Sequence, residues 1–278
     1  MSGLLQISDP HFGTEQPPVV EALVRLAREQ APDVAVLSGD ITQRARRAQF
    51  GAARTFADRL APVPVVAVPG NHDVPLFNLL ARAFWPYANF RHAFGDDLEP
   101  VRSDANWLVV AVKSTRRRRH KDGEVSDEQI ERVAERLRRA GEAQVRVVVL
   151  HHPIAVFRPQ DAPNLLRRRQ AAIHRWAEAG ADVVMGGHIH LPYVLPLHET
   201  EAALPRRLWA VQAGTAVSSR VRHEAGNSVN LLRRVGGRGV RVAVERWDYD
   251  VPSQCFRLGT VTELTPSRSP PATAPLDR

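Results

Sequence analysis

Five short polar groups stand along this chain in a fixed order, and each follows or closes a short apolar run. The groups are Asp9-Pro10-His11, Gly39-Asp40, Gly70-Asn71-His72-Asp73, His151-His152 and Gly187-His188-Ile189-His190. Because the carboxyl ends of parallel strands meet at one edge of a sheet, the pattern predicts that these groups assemble into one site. Carboxylate, amide and imidazole ligands without cysteine suit Mn, Fe or Zn ions. The groups contain more ligands than one ion needs, which indicates two ions sharing a bridging carboxylate.

The composition is that of a globular protein. Of the 278 residues, 44% are hydrophobic and 24% are charged, so the chain is long enough for a substantial core. No stretch approaches the roughly 20 apolar residues of a membrane span. We expect no signal peptide, because residues 4–7 already resemble a core strand that leads directly to Asp9. The single cysteine, Cys255, excludes an intrachain disulfide and favours a cytoplasmic location.

The net charge of +8 raises the question of a nucleic-acid partner. Lys113 and Lys121 are the only lysines, however, and a GC-rich genome would produce such an arginine bias without functional demand. Nucleic acid is therefore not favoured, and attraction of small phosphate anions is the expected consequence. The run from Arg116 to Arg119 is expected to be a solvated loop, with recruitment of substrate phosphates, together with Lys113 and His120, as the alternative. The sequence makes no prediction of oligomeric state.

Hydrophobic periodicity predicts an α/β fold. Strands are predicted at residues 4–7, 34–37, 63–68, 107–112, 145–150 and 182–185, and helices at residues 19–30, 48–60 and 165–178 and after a capping box at residues 126–129. Residues 77–94 are expected to hold one helix and a loop near the site. Later strands at residues 193–197, 208–212, 229–234 and 240–247 are expected to be antiparallel and to complete a second sheet. Residues 1–264 are predicted to form one domain, and residues 265–278 a disordered Pro/Ser/Ala-rich tail.

The motifs D-x-H, G-D, G-N-H-D, H and G-H-x-H, in this order, resemble the calcineurin-like metallophosphoesterase superfamily. The resemblance covers roughly residues 4–190 and continues weakly through the later strands. The segments LLQISDPH, PGNHD and HHP are most similar to class III cyclic-nucleotide phosphodiesterases, and bacterial glycerophosphodiesterases are similar too. The resemblance implies a sandwich of two mixed sheets flanked by helices.

The resemblance also implies a role for each site residue. By this resemblance, Asp9, His11 and His190 would bind one metal ion, and Asn71, His151 and His188 would bind the other. Asp40 would bridge both ions. A hydroxide held between the two ions would attack phosphorus. His72 would contact a phosphate oxygen or protonate the leaving group, and Asp73 would orient His72 and raise its pKa. The glycines before Asp40, Asn71 and His188 would allow tight turns.

Other residues keep two interpretations. Strand alternation places His152 on the face opposite His151, so His152 is expected to support the ligands from behind or to be structural. Phe84, Trp85 and Tyr87 are expected to pack in the core, although stacking on a base is the alternative. Either a pocket rim or a plain hairpin loop would suit the polar residues Arg220, Arg222, His223 and Asn227.

The predicted function is metal-dependent hydrolysis of a small phosphodiester, with a 3′,5′-cyclic nucleotide as the first candidate substrate. A glycerophosphodiesterase and a phosphomonoesterase are the nearest alternatives. A nuclease would use the same metals and the arginine excess, and its substrate binding would depend steeply on salt. A non-catalytic binding protein on this fold should have lost ligands, whereas every ligand position here holds a suitable residue.

Overall fold

A computed structural model of the protein describes residues 2–201, 203–236 and 239–268. Residues 269–278 of the predicted tail lie outside these ranges, so the domain boundary at residue 264 stays a prediction. Arg268, the last described residue, contacts the buried carboxylate of Asp182, with 2.8 Å between Nη1 and Oδ1. Within the described residues, every helix is too short or too polar to cross a membrane.

The elements alternate between strand and helix in the first part of the chain. The described strands are β1 (Gly3–Ile7), β2 (Val34–Ser38), β3 (Val65–Val68), β4 (Val101–Ser103), β5 (Trp107–Ala111), β6 (Val145–Val149), β7 (Val183–Gly186), β8 (Tyr193–Pro196), β9 (Trp209–Gln212), β10 (Ser228–Val235), β11 (Arg241–Asp250) and β12 (Cys255–Leu264). The described helices are α1 (Pro17–Gln30), α2 (Arg47–Asp58), α3 (Leu79–Phe84), α4 (Ala88–Phe94), α5 (Asp127–Arg138), α6 (Arg169–Ala179) and α7 (Leu197–Thr200), with 3-10 turns at Asn71–Asp73 and Pro159–Asn164.

The strands form two six-stranded sheets. The first has the order β12-β11-β10-β1-β2-β3, and the second has the order β4-β5-β6-β7-β9-β8. Neighbours within β1-β2-β3 and within β5-β6-β7-β9 are parallel, and the other pairs are antiparallel. The predicted fold, two mixed sheets flanked by helices, is therefore confirmed.

Apolar residues on both faces of each sheet explain the layered packing. Leu4 joins the core between the two sheets, together with Val109 and Val147 of the second sheet. Its neighbour Leu5 points the other way and joins the core that includes Leu23 of α1. Successive strand residues face opposite sides, so a strand covered on both sides is apolar throughout. A third core lies between the second sheet and α5 and α6.

The prediction that the four later strands complete a second sheet is confirmed for β8 and β9, which pair antiparallel in the second sheet, and is wrong for β10 and β11. Strands β10 and β11 extend the first sheet, where Leu231 lies opposite Leu5 across an antiparallel pair. Strand β9 lies in the second sheet, parallel to β7. Strand β12, which the sequence analysis missed, is an edge strand with mostly exposed side chains, so it lacks a clear apolar pattern.

Residues 77–94 form the two short helices α3 and α4 rather than one. Phe84 and Trp85 are 67% and 66% exposed, so the expectation that they pack in the core is wrong. Tyr87 is buried, and its hydroxyl lies 2.7 Å from Oγ1 of Thr115. The predicted capping box of α5 is confirmed, because Ser126 and Gln129 each accept a hydrogen bond from the other's backbone N–H.

Candidate metal centre

The seven predicted ligands meet where the carboxyl ends of five parallel strands converge. The ligands by strand are Asp9 and His11 after β1, Asp40 after β2, Asn71 after β3, His151 after β6, and His188 and His190 after β7. All of these side chains are buried except those of His188 and His190, which are partly buried. Buried Gln6 joins the two sheets beside them, because its Nε2 donates to Gly186 carbonyl at 3.0 Å and Ser38 Oγ at 3.2 Å.

Five of the ligands have left-handed backbone conformations. Their φ angles are 49° for Asp9, 43° for His11, 46° for Asp40, 73° for His188 and 54° for His190. Such conformations cost side-chain-bearing residues about 1–3 kcal/mol each and concentrate at functional sites. For the first three of these residues, backbone hydrogen bonds join the loops after β1 and β2, including Asp9 N–H to Gly39 O and His11 N–H to Asp40 O, both 3.1 Å.

The first ligand cluster contains Asp9, His11 and His190. The Nε2 atoms of His11 and His190 are 3.1 Å apart, and Oδ1 of Asp9 lies 3.3 Å from Nε2 of His190. Oδ2 of Asp40 approaches His11 Nε2 at 3.8 Å. Ligand atoms about 2.1 Å from one ion lie about 3 Å from one another. The cluster therefore has the spacing and the donor chemistry of a divalent metal site.

The second cluster lies on the other side of Asp40. Nε2 of His151 is 3.3 Å from Oδ1 of Asp40 and 3.2 Å from Oδ1 of Asn71. The ring of His188 lies 5.1 Å from that of His151, centroid to centroid. Because Oδ2 of Asp40 faces the first cluster and Oδ1 faces the second, one carboxylate is placed to serve two cations.

Backbone carbonyls orient two of the imidazoles. Nδ1 of His151 donates to the Ser38 carbonyl at 3.0 Å, and Nδ1 of His190 donates to the Arg220 carbonyl at 2.7 Å. A histidine whose Nδ1 carries the proton presents an unprotonated Nε2 to a metal. These carbonyls therefore select the tautomer that each cluster requires.

The electrostatics keep the carboxylates charged. Burial opposes ionisation of Asp9, but His190 outweighs it, and the pKa of Asp9 falls to about 2. The pKa of Asp40 is likewise lowered by His151 despite burial. Burial lowers the pKa of His11 to about 3 and that of His188 to about 4, so both imidazoles are neutral ligands at pH 7. At His151 the attraction of Asp40 exceeds the burial penalty and raises the pKa to about 9.

His72 stands at the edge of the clusters. Its backbone N–H donates to Oδ1 of Asp40 at 2.7 Å, and its Nδ1 lies 2.9 Å from the carbonyl of Gln43. Nε2 of His72 lies 3.3 Å from Nη1 of Arg220, which also donates to Oε1 of Gln43 at 3.0 Å. The structure therefore pairs His72 with an arginine from a distant loop.

Asp73 does not orient His72, contrary to the expectation. Its described hydrogen bonds come from the N–H groups of Gly70, Ile41 and Thr42, at 2.9, 3.0 and 2.7 Å, and from the Thr42 hydroxyl at 2.9 Å. Burial, aided by Asp40, raises the pKa of Asp73 to about 7 against the effect of these N–H donors. Asp73 thus ties the loop after β2 to the loop after β3, because it accepts hydrogen bonds from Ile41 and Thr42 of one and Gly70 of the other.

Two of the three glycines that precede candidate ligands are explained by the close approach of neighbouring loops and not by the geometry of a turn. Among those preceding ligands, Gly39 has φ +90°, but Gly70 and Gly187 do not have positive φ angles. A Cβ on Gly70 would lie 2.0 Å from the backbone nitrogen of Asp40, and one on Gly187 would lie 2.0 Å from Oγ of Ser8. These two glycines let neighbouring loops touch.

His152 lies against the second cluster rather than facing away from it. Its ring is 5.0 Å from that of His151 and 4.8 Å from that of His188. Strand β6 ends at Val149, so strand alternation does not separate residues 151 and 152. Both ring nitrogens of His152 have other partners, Ser114 Oγ at 2.8 Å and the Lys121 carbonyl at 2.9 Å, which suits the structural role that the sequence favoured.

A cavity of about 410 Å³ opens over both clusters. Besides Asp40, Asn71, His188 and His190, its lining includes His72, His120, Lys121, Asn164, Arg220 and Arg222. Arg222 is balanced by Asp161 and Glu224, each 3.1 Å away. Among the described residues, Lys121 and Arg220 have no such carboxylate partner. From the sequence, Arg220 had two interpretations, and Lys121 and Asn164 were not recognised as cavity residues because their loops carry no motif.

The arginine run before this cavity is mostly engaged in the protein's own loops. Nε of Arg119 lies 2.6 Å from Glu124, and Nη1 of Arg117 donates to the carbonyl of Ala83 at 2.9 Å. Nη1 of Arg116 donates to the carbonyl of Thr115 at 3.2 Å. The favoured interpretation of the run as a loop agrees with these contacts, while His120 and Lys121, which follow it, reach the cavity.

Solved structures share this fold. A purple acid phosphatase from yellow lupin, Lupinus luteus, superposes with a TM-score of 0.68 and 12% identity, over 95% of this chain and 53% of its own. The chain thus spans about half the length of that phosphatase. A dimetal phosphatase from Danio rerio superposes with a TM-score of 0.64 and 13% identity, over 96% of this chain and 99% of its own.

Sequence comparison points the same way. A protein of Synechococcus sp. described as a probable cyclic nucleotide phosphodiesterase is 26% identical over 210 residues, 69% of this chain and 74% of its own. The sequence model of the calcineurin-like phosphoesterase family matches residues 3–192, which hold all seven candidate ligands. The chain therefore belongs to the calcineurin-like phosphoesterase family, as its ordered motifs predicted.

Proposed function

We propose that this protein is a dinuclear metal-dependent phosphodiesterase that hydrolyses small phosphodiesters, with 3′,5′-cyclic nucleotides as the first candidate substrates. The observation that carries the proposal is the position of Asp40, whose two carboxylate oxygens face two different ligand clusters. Oxygen and imidazole donors without cysteine favour Mn, Fe or Zn. We place the protein in the cytoplasm as part of the proposal, because its one cysteine is free.

Asp9, His11 and His190 would hold one ion, Asn71, His151 and His188 the other, and Asp40 both. When bound, such a pair of ions lowers the pKa of water and neutralises charge that develops on a phosphate. The protein's own residues supply the rest. Arg220 and Lys121 line the cavity without carboxylate partners among the described residues, so they are placed to bind phosphate oxygens.

We assign to His72 the role of the general acid that protonates the leaving group. Its Nδ1 is held by the Gln43 carbonyl, which leaves Nε2 directed toward the cavity and Arg220. In the hydrolysis the oxygen of water bonds to phosphorus and the water gives up a proton. The phosphorus–oxygen ester bond breaks, a proton from Nε2 of His72 passes to the departing oxygen, and the proton from water replaces the one that His72 has given. The products are an alcohol and a phosphomonoester.

Two further observations support a small diester. The cavity, at about 410 Å³, is in the range of sites that enclose small molecules, which are about 300–1,000 Å³. The Synechococcus relative is described as a probable cyclic nucleotide phosphodiesterase. A nuclease would use arginines near the cavity to bind the phosphates of nucleic acid, but Arg222 and Arg119 are already paired with carboxylates, which makes a nuclease a weaker alternative.

A phosphomonoesterase is the second candidate function. The uncompensated charges of Lys121 and Arg220 in one cavity suit a dianionic phosphate, which a monoester carries and a diester does not. The same assay distinguishes the two candidates.

The experiment measures hydrolysis of bis-p-nitrophenyl phosphate and p-nitrophenyl phosphate by the Mn-loaded protein, followed by 3′,5′-cyclic AMP. Preference for the diester supports the proposal, and preference for the monoester supports the second candidate. Asp40→Ala should abolish turnover and remove both metals, whereas the matched variant His11→Ala should remove one. Normal turnover by Asp40→Ala with its full metal content would contradict the dinuclear assignment.

A further inference from the structure

A second surface feature lies outside the metal centre. Five large apolar side chains are exposed around helix α3, and we call this surface the Phe77–Trp85 face. Their exposed fractions are 77% for Phe77, 71% for Leu79, 70% for Leu80, 67% for Phe84 and 66% for Trp85. Single exposed apolar residues are common, but here five stand within nine positions, the rings of Phe84 and Trp85 lie 5.7 Å apart, and Leu79 and Phe84 line one hollow. Clustered exposed apolar side chains mark binding surfaces.

Arginines border the face on two sides. Arg44 and Arg46 line a surface hollow with Phe77, and the guanidinium carbon of Arg44 lies 5.2 Å from the centre of that ring. On the other side, Arg117 and Arg118 line a hollow with Leu79 and Phe84. All four arginines are exposed, and within the described part of the chain they form no ion pair with a carboxylate.

The charge of the face is of one sign. The segments that build it, residues 41–57, 74–95 and 113–121, contain no aspartate or glutamate. Elsewhere on the molecule exposed arginines pair with acids, as Arg168 does with Asp127 and Arg257 with Asp250. The combination of protruding apolar side chains with a basic border is that of a surface that inserts into the interface of an anionic membrane.

Two other partners suit the face less well. A second copy of this chain, related by a two-fold axis, would bring the same arginines against one another without acids to balance them. Nucleic acid would satisfy the arginines, but it would leave the aliphatic side chains of Leu79 and Leu80 without apolar surface to contact. A bilayer of anionic phospholipid satisfies both parts of the face.

We propose that the Phe77–Trp85 face docks this protein on the surface of anionic phospholipid bilayers. The apolar side chains enter the acyl boundary, and the arginines contact headgroup phosphates. Two connections join the face to the metal centre. Residue 75 follows closely after the loop that carries Asn71 and His72. Arg82 donates to the carbonyls of Arg117 and Arg119, at 2.8 and 2.6 Å, and these residues directly precede His120 and Lys121 of the cavity. Docking would therefore bring the mouth of the cavity close to the membrane.

The test measures cosedimentation of the full chain with vesicles of phosphatidylserine and phosphatidylcholine in equal amounts, and with phosphatidylcholine alone. We expect binding only to the anionic vesicles. Arg117→Gln with Arg118→Gln should weaken binding about 25-fold, since each arginine near such a surface contributes about fivefold. Leu79→Gln with Leu80→Gln should weaken it about tenfold or more, because the inserted apolar area is lost.

Matched controls separate the face from general charge and hydrophobicity. Arg138→Gln with Arg139→Gln removes the same charge from exposed positions on α5 and the residue after it, and Val251→Ser removes a side chain that is 73% exposed at the β11–β12 turn. Both controls should bind as the unaltered protein does, and circular dichroism should show that all variants are folded. In addition, vesicles should shift the emission of the unaltered protein to the blue, and Trp85→Phe should remove that shift.

Three results would overturn the proposal. The first is absence of binding to anionic vesicles by the unaltered protein. The second is binding that the arginine variant loses but the leucine variant keeps, because that describes a purely electrostatic surface such as one for nucleic acid. The third is a dimer in sedimentation analysis that Leu79→Gln with Leu80→Gln dissociates, because the face would then be an interface between copies.

Discussion

Replacing Gly39 with alanine tests whether the loop after β2 sets the orientation of a metal ligand. Gly39 has φ +90°, and a Cβ there would lie 2.4 Å from Nδ1 and 2.6 Å from Cγ of His151. The imidazole would have to move away from Ser38, whose carbonyl now accepts its Nδ1–H at 3.0 Å. We expect both the free energy of unfolding and the affinity for metal to fall.

The size of each effect follows from the geometry. A left-handed conformation costs alanine about 1–2 kcal/mol, and overlap in a packed interior costs about 1–3 kcal/mol, so the free energy of unfolding should fall by about 2–5 kcal/mol. Loss of the carbonyl that orients a ligating histidine should weaken metal binding by about 10–100-fold. Thermal unfolding and calorimetric titration with Mn²⁺ measure the two effects.

Gly95→Ala is the matched control. Gly95 has a similar φ of +97°, but a Cβ there meets no atom within 4 Å. With ψ of 169°, Gly95 lies in a region that is essentially restricted to glycine, so this variant should lose only a backbone contribution of about 1–3 kcal/mol and should bind metal normally. If the two variants lose equal stability and bind Mn²⁺ equally, the reasoning that Gly39 makes room for His151 is refuted.

Four further outcomes are expected. His72→Ala should keep both metals but lose turnover, most severely with poor leaving groups, and equal losses for good and poor leaving groups would remove the general-acid role. Asp73→Asn should lower the free energy of unfolding by about 2–4 kcal/mol in thermal denaturation, because an amide nitrogen would face N–H donors; unchanged stability would contradict this. Arg220→Met should raise KM about 10–100-fold, as expected for a lost charged hydrogen bond, with the metal content unchanged by elemental analysis. Metal binding at pH 7 should release a proton from His151, whose pKa is about 9 without metal, so affinity should rise as pH approaches 9; calorimetry in two buffers with different ionisation enthalpies measures the proton, and a pH-independent affinity would contradict the shift.

Local patterns were sufficient for much of the fold. The apolar runs that end at Ile7, Leu37 and Val68 predicted three buried strands, because strands covered on both faces are apolar throughout. Partner choice was not predictable in the same way. Strands β10 and β11 have the same alternation whichever sheet they join, and only the pairing of Leu231 with Leu5 places them in the first sheet.

For the candidate metal centre, too, the sequence predicts some features and not others. The identity and order of the seven proposed ligands are predictable from the sequence, because the parallel topology gathers strand ends and metals require particular donor atoms. The hydrogen-bond partners of Asp73 and the contact between Arg220 and His72 could not be predicted from the sequence. Asp73 is held by backbone N–H groups, which have no sequence signature, and Arg220 reaches His72 across 148 positions of chain. By itself the sequence determined which side chains carry the donor atoms of the proposed metal centre, whereas tertiary structure decided which side chains surround them, because those contacts depend on loop paths that no local pattern encodes.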